Sequence, residues 1–349
     1  MSKKLFIILL AILFIWNIIL SVELYNQSSK PSGDMTVINN TVEGFSTDLT
    51  EVFNEVKPSI VTVDNNGILS SGFIYASDVT TYIITANHGI NNVDNIYVIF
   101  DNGIRYKANY IGGDEKSDIA VLGLELSFDV NPLNLGDASY LSEGEFLISF
   151  GTAGAIEYKA TASLALLNDN ECVVERTIRN DEGYSRYYQT IVQLTSTINP
   201  GISGGPVVNM AGDVVAVNLM SDEEASGVLL AMSINEVKLV ADSIINKSQV
   251  TKQEFGIKGS SINELENYEK SALGISLDII EGYYVEDIID ESFASEIGLM
   301  PGDIITMINE YVIADYTDIM EVQYQTIENY NFTVIRANET INLTGANND

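Results

Sequence analysis

Histidine and cysteine are nearly absent from this 349-residue chain, which holds one of each, His88 and Cys172. A single cysteine rules out a disulfide within the chain. With one histidine beside it, no zinc site of the usual ligand set can form. Basic side chains are scarce too: 17 Lys and Arg face 49 Asp and Glu, a formal charge of −32. Such a charge repels phosphate backbones and excludes a nucleic-acid partner. The excess is not one acidic tail, because residues 251–349 hold 4 basic and 19 acidic side chains and account for −15 of it. It reads as a solvated acidic surface. Apolar residues make up 46% of the chain, enough for cores that must stand without disulfides, and the length suits two modest domains.

The N-terminus carries an address. Lys3 and Lys4 precede an almost unbroken apolar run from Leu5 to Leu20, extended through Ser21 and Val22 to Glu23. At about 1.5 Å per residue, about 18 residues just span a hydrocarbon core of about 30 Å. A cleavable signal would show a shorter apolar stretch and a small-x-small site, and neither is evident. Residues 5–22 are therefore expected to form an uncleaved single-pass anchor in the inner (cytoplasmic) membrane. Residues 1–4 form a cytoplasmic stub, and everything after Glu23 lies on the extracytoplasmic side. Residues 23–46, with Asn26-Gln27-Ser28-Ser29-Lys30-Pro31-Ser32-Gly33, read as a polar linker.

From residue 47 to 248 the chain is a series of short apolar or alternating runs between Gly, Asn, Asp and Ser. Ile60–Val63, Gly72–Tyr75, Tyr82–Thr85, Phe146–Phe150 and Val214–Val217 are examples. Many short strands separated by turn signals predict a mainly β barrel or sandwich. The spacing becomes helical over Ile234–Ile245 and closes this unit. Residues 249–349 form a second unit.

Three segments carry chemistry. His88 ends the run Ile83-Ile84-Thr85-Ala86-Asn87-His88, Asp118 opens Asp118-Ile119-Ala120-Val121-Leu122, and Ser203 lies in Asn199-Pro200-Gly201-Ile202-Ser203-Gly204-Gly205-Pro206. A serine is a weak nucleophile until a base takes its proton, and the base needs a carboxylate to hold its tautomer. Gly201-Ile202-Ser203-Gly204-Gly205 also fits the G-x-S-x-G elbow of α/β-hydrolases. Those enzymes place histidine after serine, and no histidine follows Ser203. The order His, Asp, Ser is that of chymotrypsin-like proteases.

Here the chain resembles the HtrA (Deg) family of envelope serine proteases. Ser71-Gly72-Phe73-Ile74 resembles the family's G-S-G-F strand, Thr85-Ala86-Asn87-His88 its T-N-N-H, and Asp118–Leu122 its D-I-A-V-L. Gly136-Asp137-Ala138-Ser139 is similar to its G-D-S-S, and Thr197–Pro206 to its A-I-N-P-G-N-S-G-G-P. The resemblance implies a chymotrypsin-like double β-barrel in which Ser203 attacks, His88 moves the proton and Asp118 orients His88. The amides of Gly201 and Ser203 would form the oxyanion hole, with no metal and no organic cofactor. Two positions depart from the pattern: Ile202 stands where Asn is usual, and Gly89 where an apolar residue is usual. By resemblance the S1 wall falls on Leu229, Leu230 and Ala231, implying small or medium aliphatic P1 residues. An ordinary barrel strand accounts for that run equally well.

In the second unit, Gly298-Leu299-Met300-Pro301-Gly302-Asp303-Ile304-Ile305-Thr306-Met307-Ile308-Asn309 resembles the G-L-x-x-G-D-x-I-x-x-I-N signature of PDZ domains, which are α+β. Glu254, Phe255, Gly256 and Ile257 match the family's carboxylate loop, with Leu273-Gly274-Ile275 a weaker competitor. C-terminal peptides are the implied ligands. An anchor, a protease domain and one PDZ domain give a DegS-like layout. The resemblance further implies a homotrimer with Phe45 and Phe53 as candidate contacts, and polypeptide substrates. It also implies a loop over residues 168–189, with Arg176, Arg179 and Arg186, that relays PDZ occupancy. A catalytically silent peptide-binding scaffold or chaperone remains the alternative.

Overall fold

Residues 49–152, 159–180, 183–197, 201–221, 227–247 and 250–347 are described by the structure, a computed structural model. The apolar run at 5–22, the linker and Phe45 lie outside the described residues. No described helix is long and apolar enough to cross a membrane.

A short helix α1 (Leu49–Val56) leads into β1 (Ile60–Asn65), β2 (Ile68–Ser77), β3 (Thr81–Ala86), β4 (Ile96–Phe100), β5 (Arg105–Asp114) and β6 (Ile119–Leu124). These strands close into a barrel in the order β1-β2-β3-β6-β5-β4. A second barrel follows, built from β7 (Phe146–Gly151), β8 (Thr161–Asn180), β9 (Gly183–Ser196), β10 (Pro206–Val208), β11 (Val214–Ser221) and β12 (Val228–Ser233). The expected strands and the double β-barrel are both present.

The apolar runs are continuous rather than alternating because many strands are buried on both faces. In β6, Leu122 and Leu124 fill the first barrel, while Ile119 and Val121 join the core that continues into the second. The same split separates Ile83 from Ile84 in β3, and Ile74 from Phe73 in β2. Helix α2 (Ile234–Lys247) closes the unit by burying Val237, Val240, Ala241 and Ile244, one stripe at helical spacing. Residues 168–180 and 183–189 lie in the paired antiparallel strands β8 and β9, with Arg176 opposite Tyr187.

The C-terminal unit is a sheet of β13 (Ile257–Ser261), β14 (Tyr283–Ile288), β15 (Ile304–Ile308), β17 (Asn329–Arg336) and β18 (Glu339–Ala346), with β16 (Tyr311–Val312) paired to β15. Helices α3 (Asn267–Ala272), α4 (Phe293–Ile297) and α5 (Tyr316–Gln323) accompany it. The glycine-rich motif at 298–303 has a mechanical reading. Gly298 caps α4 in the left-handed region (φ 80°) and Leu299 is buried. Asp303, fully buried, accepts from Met300 N at 2.9 Å and takes a two-pronged bond from Arg336 at 2.6 and 2.7 Å. Arg336 also donates to Gly298 O at 2.9 Å, tying the last long hairpin to the turn.

This unit docks on the protease-like unit through named polar contacts. Glu236 of α2 accepts from Lys252 Nζ at 2.6 Å and from Tyr324 OH at 2.9 Å. Ser261 Oγ donates to Glu171 Oε1 of β8 at 2.7 Å, and Thr190 Oγ1 of β9 bonds Tyr316 OH at 2.7 Å. Met320 and Tyr324 are buried in the same core as α2.

Candidate active site

β3 ends at Ala86, and a single tight turn, Asn87–Gly89, carries His88 off its end. β3 pairs with β6 so that Ala86 lies opposite Ile119, which places Asp118 beside that turn. Asp118 adopts the left-handed region (φ 58°), a conformation that Asp and Asn tolerate better than other side chains. Its backbone carbonyl accepts from Asn87 N at 2.8 Å. Its carboxylate then grips His88 twice, Oδ1 accepting from the His88 backbone N at 2.8 Å and Oδ2 meeting Nδ1 at 2.6 Å.

That double grip fixes both the ring and its tautomer. With the Nδ1 proton held on Asp118, the Nε2 lone pair is the basic site. The hydrogen bond that His88 donates to Asp118 raises the His88 pKa above 6.5; burial opposes this and the Asp118 charge adds to it. The ring keeps 43% of its side-chain surface accessible while Asp118 keeps 18%, so the imidazole is the more open of the two to a reactant.

The turn holding Ser203 is fastened from several directions. Ser203 O accepts from Ser71 N of β2 at 2.8 Å, Gly204 N donates to Asn218 O at 2.7 Å, and Gly205 N donates to Ile202 O at 2.9 Å. Asn218, fully buried in β11, also returns its N to Gly205 O at 2.8 Å. A Cβ at Gly204 (φ 83°) would overlap Ala86 N and Ser71 O. The nucleophile turn thus lies against the end of β3, the strand that delivers His88 to Asp118. The Ile202 carbonyl points back to Gly205, which turns the Ser203 N–H of the same peptide plane outward. Among the described residues, neither the Gly201 nor the Ser203 amide donates to another group.

The two departures have packing reasons. Ile202 is buried in the second-barrel core, where an apolar side chain belongs. Gly89 is buried with its Cα facing Ser70, whose Oγ would lie 3.0 Å from any added Cβ. Leu229, Leu230 and Ala231 are buried in β12, one strand removed from the nucleophile turn through the Ala231–Asn218 pairing. Of the carboxylate-loop residues, Phe255 is spent in the C-terminal core against Phe293, Tyr330 and Phe332. Gly256 holds φ 75°, Ile257 opens β13, and burial pushes the Glu254 carboxyl up. Phe53 stacks on Phe150 at 5.7 Å within the chain. The side chains of Arg179 and Arg186 lie outside the described residues. Sequence reasoning missed Glu171, Thr190 and the Glu236–Lys252–Tyr324 cluster, which make the described junction. Their only signal was an unusual acidic residue in an otherwise apolar helix face. Among the described residues no cluster of three or more His, Cys, Asp or Glu could hold a metal ion.

Comparison with known proteins agrees with this fold. Residues 70–217 match the trypsin-like peptidase domain. The serine protease Do-like HtrA of Lactobacillus helveticus is 26% identical over 91% of this chain and 82% of its own length. The periplasmic serine endoprotease DegP of Escherichia coli K12 is 27% identical over 71% of this chain, which spans 50% of DegP. The solved HtrA-type protease AlgW with a tripeptide superposes with a TM-score of 0.56 at 24% identity, over 85% of this chain and 95% of that one. The His–Asp–Ser order, the paired barrels and these relatives together make this chain a serine endopeptidase similar to the HtrA proteases.

Proposed function

We propose that this protein cleaves polypeptides on the extracytoplasmic side of the cell envelope through an acyl-enzyme, with Ser203 as nucleophile. The observation that carries the residue assignment is the two-point grip of Asp118 on His88 beside the Ser203 turn. Ser203 Oγ attacks the scissile carbonyl as His88 Nε2 takes its proton. The amides of Gly201 and Ser203 receive the oxyanion. His88 then gives the proton to the departing amine, and a water activated by the same nitrogen hydrolyses the ester.

The regulatory reading adds that the C-terminal unit is a PDZ domain. Its support is the mechanical sense of the 298–303 motif, the place of β13 at the end of the strand order with α5 tied to its last residue, and peptide-bound AlgW as a structural neighbour. C-terminal peptides would add along β13, with Glu254–Ile257 at the carboxylate end. Substrates would be misfolded or regulatory proteins, and the working form a homotrimer. Residues 5–22 would hold the enzyme in the inner membrane, consistent with the Lys3-Lys4 flank and with the periplasmic designation of DegP.

A fluorophosphonate probe tests the assignment. Wild type should be labelled and should cleave a reporter peptide, and Ser203→Ala should do neither while melting at the wild-type temperature. An unlabelled, inactive wild type would favour the silent scaffold instead.

A further inference from the structure

We infer that Ser71 is a positioning residue for the oxyanion turn, acting through its side-chain hydroxyl. This rests on the assignment of Ser203 and the Gly201 amide above. Ser71 is fully buried, and no step of the mechanism as written uses it.

Its hydroxyl sits at a crossing between the barrels. Ser71 Oγ accepts from Thr152 N, just past the end of β7, at 2.8 Å, and donates to Gly201 O at 2.5 Å. Thr152 Oγ1 is 3.3 Å away. A hydroxyl has one hydrogen and two lone pairs. With the Thr152 amide directed at the oxygen, the Ser71 hydrogen goes to the Gly201 carbonyl, the closest acceptor. The backbone of the same residue holds the other end of the segment, Ser71 N donating to Ser203 O at 2.8 Å. One residue of the first barrel therefore clamps both carbonyls that bracket the nucleophile turn of the second, and only one clamp depends on the side chain.

Gly201 is where that side-chain clamp matters. At φ 94° it has no Cβ to restrict rotation about its own backbone bonds. The plane of the Ile202–Ser203 peptide is fixed by Gly205 N, but the Gly201–Ile202 plane is fixed by Ser71 Oγ. An oxyanion hole lowers the barrier only if its donors are aimed before charge develops. The Gly201 N–H donor lies across the Cα, in the preceding peptide plane, so releasing the Gly201 carbonyl loosens the glycine from which that donor is aimed. It leaves Ser203, His88 and Asp118 where they are.

The test is Ser71→Ala in the full chain. Steady-state cleavage of a reporter peptide should lose about 10- to 100-fold in kcat, less than deleting a donor outright, with KM within about threefold. The discriminating readout is the ratio of rates for an ester substrate and its thionoester, whose sulfur fits an oxyanion hole poorly. Wild type should prefer the oxygen ester strongly, and the variant should lose most of that preference. Loss of kcat with an unchanged ratio would overturn the inference, as would wild-type kcat. Should Ser71→Ala not fold, Ser71→Cys keeps nearly the same volume but gives only a poor, long thiol donor to the Gly201 carbonyl, and it is read by the same ratio, with the same outcomes decisive. Failure of the underlying assignment looks different, because then the wild type itself would cleave neither substrate or Ser203→Ala would remain active.

Discussion

Asp118→Asn isolates the orienting carboxylate from every other part of the site. The substitution is isosteric, and the left-handed backbone at 118 (φ 58°) suits Asn as well as Asp, so the fold should survive. The carboxylate accepts two bonds from His88, at 2.8 Å from the backbone N and 2.6 Å from Nδ1. An amide has one acceptor oxygen. The backbone N–H cannot change its character, whereas the ring can switch tautomer, so the amide oxygen stays on the backbone and the NH2 turns to Nδ1. His88 then carries its proton on Nε2 and cannot take one from Ser203. By analogy with the serine-protease triad, that costs about 10⁴-fold in kcat near neutral pH, which is about 5.5 kcal/mol of transition-state stabilisation at 1.36 kcal/mol per decade. The titration should move as well. Asp118 raises the His88 pKa by its hydrogen bond and its charge while burial lowers it. With only burial left, the pKa should drop below 6.5 and the acid limb of activity should shift to lower pH. Reporter cleavage across pH 5 to 9 and thermal melting read all three effects. A loss under about tenfold at neutral pH with intact folding, or an acid limb that stays in place, would refute the reasoning.

In the wild type, catalysis needs neutral His88, whose pKa is raised, so kcat/KM should fall as pH drops through a value above 6.5. A flat profile there would count against His88 as base. Gly204→Ala meets Ala86 N and Ser71 O at φ 83°, so fluorophosphonate labelling should be lost even if melting shows a folded protein. Lys252→Met strands the buried Glu236 carboxylate with only Tyr324 OH as partner. Breaking such a pair costs about 3–5 kcal/mol, and calorimetry should show a melting temperature lower by several degrees. At the domain junction, burial and then the charge of Glu264 push Glu171 up to about 8, with Asp315 also facing it. Because the folded-state value lies above the ordinary one near 4.5, its favourable contribution is complete at acid pH and fades as pH rises through about 8. Limited proteolysis should find the junction better protected at pH 6 than at pH 9, and Glu171→Gln should flatten that difference.

Much of this protein was written locally. Strand identity followed from short apolar runs between turn residues, because backbone pairing in a barrel demands little else. The order of His88, Asp118 and Ser203 chose between two protease architectures before any coordinate was needed. The glycines at 201, 204, 298 and 302 were legible because left-handed backbone and close approach leave few alternatives. What tertiary structure alone decided is who meets whom. Ser71 and Gly201 stand 130 residues apart, and no periodicity in either segment announces that one hydroxyl will hold the other's carbonyl. Ile202, which departs from the family pattern in the sequence, is core in the structure. Glu236 is an acid on an apolar helix face, and only the fold supplies its partners, Lys252 and Tyr324 of the C-terminal unit. The reason is common to all three. A motif encodes the conformation of its own few residues, while burial and hydrogen-bond partners are set by chain segments that arrive from elsewhere in the fold.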